Sequence, residues 1–88
     1  MNTINKPLPD ALKKQQFYKL YGKIPERILR KRINAIIYDF RKNYQENQGK
    51  TFNEIVNTQT VEKKELLEYA RTYFFPAGYY DDEEETTN

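Results

Sequence analysis

The side chains available for chemistry in this chain are carboxylates, lysines, arginines, tyrosines and threonines; there is no His, Cys, Trp or Ser. Without them no Ser–His or Cys–His nucleophile pair can form, nor a zinc site of the usual ligands. Catalysis by paired carboxylates would need two acids converging in a pocket. The acids of the third helical segment, Glu65 and Glu68, read instead as surface partners, with Lys64–Glu68 and Glu68–Arg71 at helical spacing. A chain of 88 residues read as a helical bundle leaves little room for a substrate cavity. The expectation is a non-enzymatic protein with no cofactor and no metal site.

The cations are more informative. Between Pro25 and Gly49 the residues Arg27, Lys31, Asn34, Tyr38 and Lys42 recur at spacings of three and four along one helical face. Arg30 and Arg41 lie on one shoulder of that row, and Arg32 on the other. After Glu26 only Asp39 and Glu46 are negative in the segment. Such a row suits a phosphate backbone: the cations displace counterions, while Asn and Tyr can donate to phosphate or reach a base. Lys13, Lys14, Lys19 and Lys23 extend the patch if the preceding segment lies alongside. The ordinary alternatives are a solvated or protein-binding face, with a lipid surface least favoured because the opposite apolar stripe reads as core.

The net charge of +2 hides an asymmetry. Residues 6–50 hold 12 basic and 4 acidic residues, whereas Asp81, Asp82, Glu83, Glu84 and Glu85 form an unbroken acidic run. Self-repulsion predicts an extended, disordered tail. It can be a solubilising end, an internal competitor for the basic half, or an epitope for a basic partner. As a calcium site it lacks the required loop and ligand spacing. Upstream, Phe75, Tyr79 and Tyr80 exceed what one helical face can bury. They form a candidate protein-binding surface with the tail, since Tyr and Phe concentrate at interface cores.

The elements positioning these groups are read as three helices. The first runs from Pro9 to Tyr21, with Asp10 in its first turn and Gly22 beyond its end. The second, from Pro25 to Gly49, carries the apolar stripe Leu29, Ile33, Ile36, Ile37, Phe40 and Tyr44. A capping box at Thr51–Glu54 opens a short turn over residues 52–57 that docks Phe52, Ile55 and Val56. Thr60 caps the third helix, Val61 to Phe75, in which Leu66, Leu67, Ala70, Tyr73 and Phe74 share a face. Pro76 and Gly78 end it. The order helix, Gly22–Pro25 turn, helix resembles a helix-turn-helix only loosely, because the second helix is too long and has Lys31 at an inward position. No alternating run supports a strand.

The fold class expected is all-α: a three-helix bundle plus one short helical turn, with a long central amphipathic helix. Residues 1–8 form a flexible arm, 9–76 a single helical domain and 77–88 the acidic tail. The core is small enough that a partner or a second copy can be needed to complete it. With no signal-like apolar stretch near Met1 and no spanning run, an intracellular, cytoplasmic location is the default. The functional expectation is a small nucleic-acid-binding accessory protein. The alternative is a protein-interaction module: an inhibitor, adaptor or subunit of a larger assembly. A bias to Lys, Ile, Asn and Tyr, typical of AT-rich coding sequence, makes a phage-type assembly one such setting.

Overall fold

Pairing between distant segments, rather than local propensity, decides where the first helix begins. The computed structural model describes residues 6–83. Extended segments occur at Lys6–Pro7 (β1), Ala11–Lys13 (β2), Thr60–Glu62 (β3) and Tyr79–Tyr80 (β4). Helices span Lys14–Leu20 (α1), Glu26–Arg41 (α2), Phe52–Val56 (α3) and Lys63–Thr72 (α4), with a 3-10 helix at Gln45–Asn47. The fold is therefore mixed α and β, with two small sheets, and the all-α helical bundle expected from the sequence is corrected.

β2 and β3 are antiparallel, with Leu12 opposite Val61. Flanking bonds extend the pairing: the Lys14 amide donates to the Gln59 carbonyl at 2.7 Å and the Lys63 amide to the Asp10 carbonyl at 2.9 Å. These bonds occupy backbone that a helix from Pro9 would need, so α1 starts at Lys14 instead. The same pairing moves the start of α4 to Lys63. Thr60 sits in the strand, and Glu62 takes the cap position. The β-branched Thr60 and Val61 suit that extended backbone. Both helices open alike: Gln16 Oε1 accepts from the Lys13 amide at 3.1 Å, and Glu65 Oε1 from the Glu62 amide at 2.8 Å.

β1 and β4 pair in parallel, aided by a Lys6 amide to Gly78 carbonyl bond of 2.9 Å. The chain reaches β4 through a turn closed by the Tyr79 amide on the Pro76 carbonyl at 3.1 Å. Gly78 supplies the positive φ of 85° that such a turn needs at its third position. Residues 6–8, read as part of a flexible arm, are thereby tied to the C-terminal end, and Leu8 is buried.

α2 opens at Glu26 as expected but ends at Arg41, well before Gly49. The Arg41 carbonyl accepts from Asn47 Nδ2 at 2.8 Å and from the Tyr44 amide at 3.1 Å, which turns the chain out of the helix. Asn43 and Asn47 favour such side-chain and backbone competition over helix. Tyr44 therefore leaves the apolar stripe. Leu29, Ile33 and Ile37 carry it, all fully buried at spacings of four. The capping box forms as expected: Thr51 Oγ1 accepts from the Glu54 amide at 3.3 Å, and Glu54 Oε1 from the Thr51 amide at 2.8 Å. Ile55 and Val56 are buried, whereas Phe52 is 45% exposed and lies against the Tyr38 ring.

The core centres on aromatics. The Tyr69 ring packs edge-on against Phe17 at 5.1 Å and Tyr21 at 4.9 Å. Their polar ends are satisfied: Tyr21 Oη donates to the Phe74 carbonyl at 2.9 Å, and Arg32 donates to Tyr69 Oη at 3.2 Å. Tyr73 and Phe74, expected in the core, are 43% and 49% exposed, because α4 has ended at Thr72 and releases them to the surface. Among the described residues no helix is long and apolar enough to cross a membrane.

One ion pair closes the structure. Glu65, expected on a surface, is fully buried. Arg41 grips it in bidentate fashion, Nε to Oε2 and Nη2 to Oε1, both at 2.7 Å. Arg41 Nη2 also donates to the Thr60 carbonyl at 3.1 Å. A buried charge deprived of its partner costs far more than a pair replaced together. Arg41→Met should therefore lower stability by about 3–5 kcal/mol, and adding Glu65→Leu should recover most of that loss. Urea denaturation of both variants measures it; a single variant as stable as the double would contradict the account.

Candidate functional site

The seven cationic and polar residues of the predicted binding row do not share one fate, because α1, α3 and α4 cover α2 from different sides. Arg27 and Lys31, one turn apart, are exposed with no carboxylate in ion-pair range among the described residues. Arg30 is exposed but pairs with Glu26, and its guanidinium lies 5.7 Å from the centre of the Tyr18 ring. Lys42, also exposed, lies 3.7 Å from Asp39 and over the Tyr38 ring. The other three are taken up by the fold. Asn34 Oδ1 accepts from Lys14 Nζ at 2.7 Å, Tyr38 packs on Phe52 with ring centres 5.0 Å apart, and Arg41 holds Glu65. The continuous row thus becomes an N-terminal cluster of Arg27, Arg30 and Lys31, with Lys42 apart.

That cluster borders a feature the helical wheel does not reveal. A cavity of about 340 Å³ is lined by Lys13, Lys14, Gln15, Tyr18, Arg30, Thr58 and Gln59. It exists because β2 and β3 are paired, which brings Thr58 and Gln59 beside the start of α1. Lys14 is its half-buried cation. Its ammonium donates to Asn34 Oδ1 and, at 2.8 Å, to the Val56 carbonyl, joining α1, α2 and the end of α3. Burial lowers its pKa below the ordinary lysine value, and the positive charges of Arg30 and Arg41 lower it further. Lys14 and Lys13 were legible as extensions of the patch; Thr58 and Gln59 carried no local signal.

The second candidate surface is rearranged too. Phe75 is half-buried and lines an apolar groove of about 370 Å³ with Leu20, Tyr21, Ile24 and Phe74. Tyr79 is half-buried in β4 with Lys6 Nζ 4.9 Å from its ring centre, while Tyr80 is exposed. The acidic residues 81–83 are held rather than free. Arg71 grips Asp81 with bonds of 2.6 and 2.8 Å, and Lys63 reaches Asp82 at 2.6 Å and Glu83 at 3.7 Å. The expected disordered tail is corrected for these three residues; Glu84 and Glu85 lie outside the described residues. The partners of Asp81, Asp82 and Glu83 belong to α4, not to the cationic cluster on α2.

No protein-family model matches this sequence, and neither the curated proteins nor the solved structures give a significant match.

The Arg71 guanidinium holds the Asp81 carboxyl below the ordinary aspartate range. The sign follows: a carboxylate with a depressed folded pKa stabilises above its unfolded value and loses that contribution as pH falls through the folded one. The contact should therefore persist at neutral pH and open as pH falls below the ordinary aspartate range. In a carboxyl-carbon NMR titration, Arg71→Gln should move the Asp81 midpoint up toward the ordinary value. An unchanged midpoint would contradict the pairing.

Proposed function

We propose that this chain is a small non-enzymatic accessory protein that binds nucleic acid through the phosphate backbone, using the cationic surface of α1 and the first half of α2. One observation carries the reading. Six of the 15 basic residues have a carboxylate within 4.0 Å among the described residues, including all three of α4. Of the nine that do not, eight fall within residues 6–32. The C-terminal half neutralises its own charge; the N-terminal half leaves it available for an anionic partner. Arg27 and Lys31 are the residues assigned to phosphate, with Arg30 beside them and Lys42 as a separate contact. Such contacts position a strand without reading its sequence.

A second reading, protein binding, rests on the apolar groove and on exposed Phe74, which lines it. The two separate by salt and by mutation. Fluorescence anisotropy with single- and double-stranded oligonucleotides should show binding that weakens steeply from about 50 to about 200 mM salt. Arg27→Glu with Lys31→Glu should weaken it at least about tenfold and flatten the logarithmic salt slope by about 2, one for each cation withdrawn from a phosphate. Circular dichroism should stay unchanged, because both side chains are exposed. Absence of binding at the lower salt would sink the nucleic-acid reading, and Phe74→Ala would then be tested against protein partners.

A further inference from the structure

The cavity at the start of α1 has a composition that favours a doubly charged anion. Among its seven lining residues three are cations and none is a carboxylate, although Arg30 also pairs with Glu26 beside the cavity. Lys14 spends two of its three donors on Asn34 and Val56, so one is left for a ligand. It has no carboxylate in ion-pair range among the described residues, and it sits within the field of Arg30 and Arg41. Burial penalises this ammonium most, Arg30 and Arg41 repel it and Glu65 only partly offsets them, so an anion placed against it relieves the penalty. The relief grows with ligand charge. A phosphate monoester carries close to two negative charges at neutral pH, whereas a backbone diester carries one.

We infer that this cavity binds the phosphate monoester of a nucleotide, with Lys14, Lys13 and Arg30 on the phosphate. The volume of about 340 Å³ exceeds what a bare phosphate needs. Gln15, Thr58 and Gln59 add neutral donors and acceptors for a sugar or base. Arg30 is shared between the cavity and the exposed Arg27 and Lys31, one turn and one residue away on α2. A strand whose terminal phosphate enters the cavity therefore continues along the proposed backbone surface. The inference rests on the nucleic-acid reading for that geometry. The monoester itself has two sources, a strand end or a free nucleotide.

The test compares internally labelled oligonucleotides carrying a 5′-phosphate, a 3′-phosphate or hydroxyls at both ends, with a free nucleoside monophosphate as fourth probe. One phosphorylated strand should bind about tenfold tighter than the hydroxyl form, the scale of one or two charge-assisted hydrogen bonds. Lys13→Gln with Arg30→Gln should abolish that preference; both side chains are exposed, so the fold stays intact while Lys14 keeps its structural bonds. Binding of the free monophosphate without any strand binding would support the cavity and overturn the nucleic-acid reading. Salt-sensitive binding of all three strands with equal affinity, and no response to the monophosphate, would overturn the cavity and leave that reading standing. No binding by any probe would overturn both.

Discussion

One guanidinium meeting one buried carboxylate joins the two halves of this chain. Arg41 ends α2, Glu65 opens α4, and the Thr60 carbonyl that Arg41 also reaches belongs to β3. Three elements therefore meet at a buried carboxylate, and removing the fork of Arg41 would leave that group without its ion-pair partner. The same contact fixes β3 where β2 can pair with it. That pairing sets the start of α1 and places Lys14 against Asn34 and the end of α3. The cavity and the cationic surface around it follow from this placement. An arginine that looked available to a ligand is instead spent on holding α2 to β3 and α4.

The features legible in the sequence are those decided within a few residues. The Leu29, Ile33 and Ile37 stripe, the start of α2 after Pro25 and the Thr51–Glu54 capping box are all local patterns, and each forms. The strands are too short for alternation to show, since β2 and β3 have three residues each and β1 and β4 have two. Only contact between segments about 50 residues apart for β2–β3, and about 70 apart for β1–β4, makes them extended. The burial of Glu65 is hidden for a related reason. Its spacing from neighbouring charges is that of a surface helix, and nothing nearby announces that Arg41 will arrive to bury it. A helical wheel likewise sorts faces but not coverage. It places Arg27 and Lys31 correctly on an open face, yet cannot show that Asn34 and Tyr38 meet Lys14 and Phe52.

Charge is separated along this molecule by pairing as much as by composition. An acidic run reads as a self-repelling end, but Asp81 and Asp82 are neutralised by Arg71 and Lys63, and β1–β4 pairing holds the segment before them in place. Asp81, Asp82 and Glu83 thus offset α4 rather than competing for α2. Among the described residues, the lysines of α1 and Arg27 and Lys31 of α2 have no carboxylate in ion-pair range, and they lie beside a cavity lined by cations and neutral hydrogen-bonding groups. The apolar groove under Phe74 and Phe75 lies toward the other end of α1, where Leu20 and Tyr21 enter it. The two surfaces are built from different chemistry, one cationic and polar, the other apolar.

The most direct measurement of where an anionic polymer sits is an amide chemical-shift map of the isotope-labelled chain, titrated with a short oligonucleotide at low salt. The account predicts shifts concentrated on Lys13–Lys19 and on Glu26–Asn34, with little change at Phe74–Ala77. Shifts confined to the Phe74–Ala77 groove, or none anywhere at low salt, would contradict it.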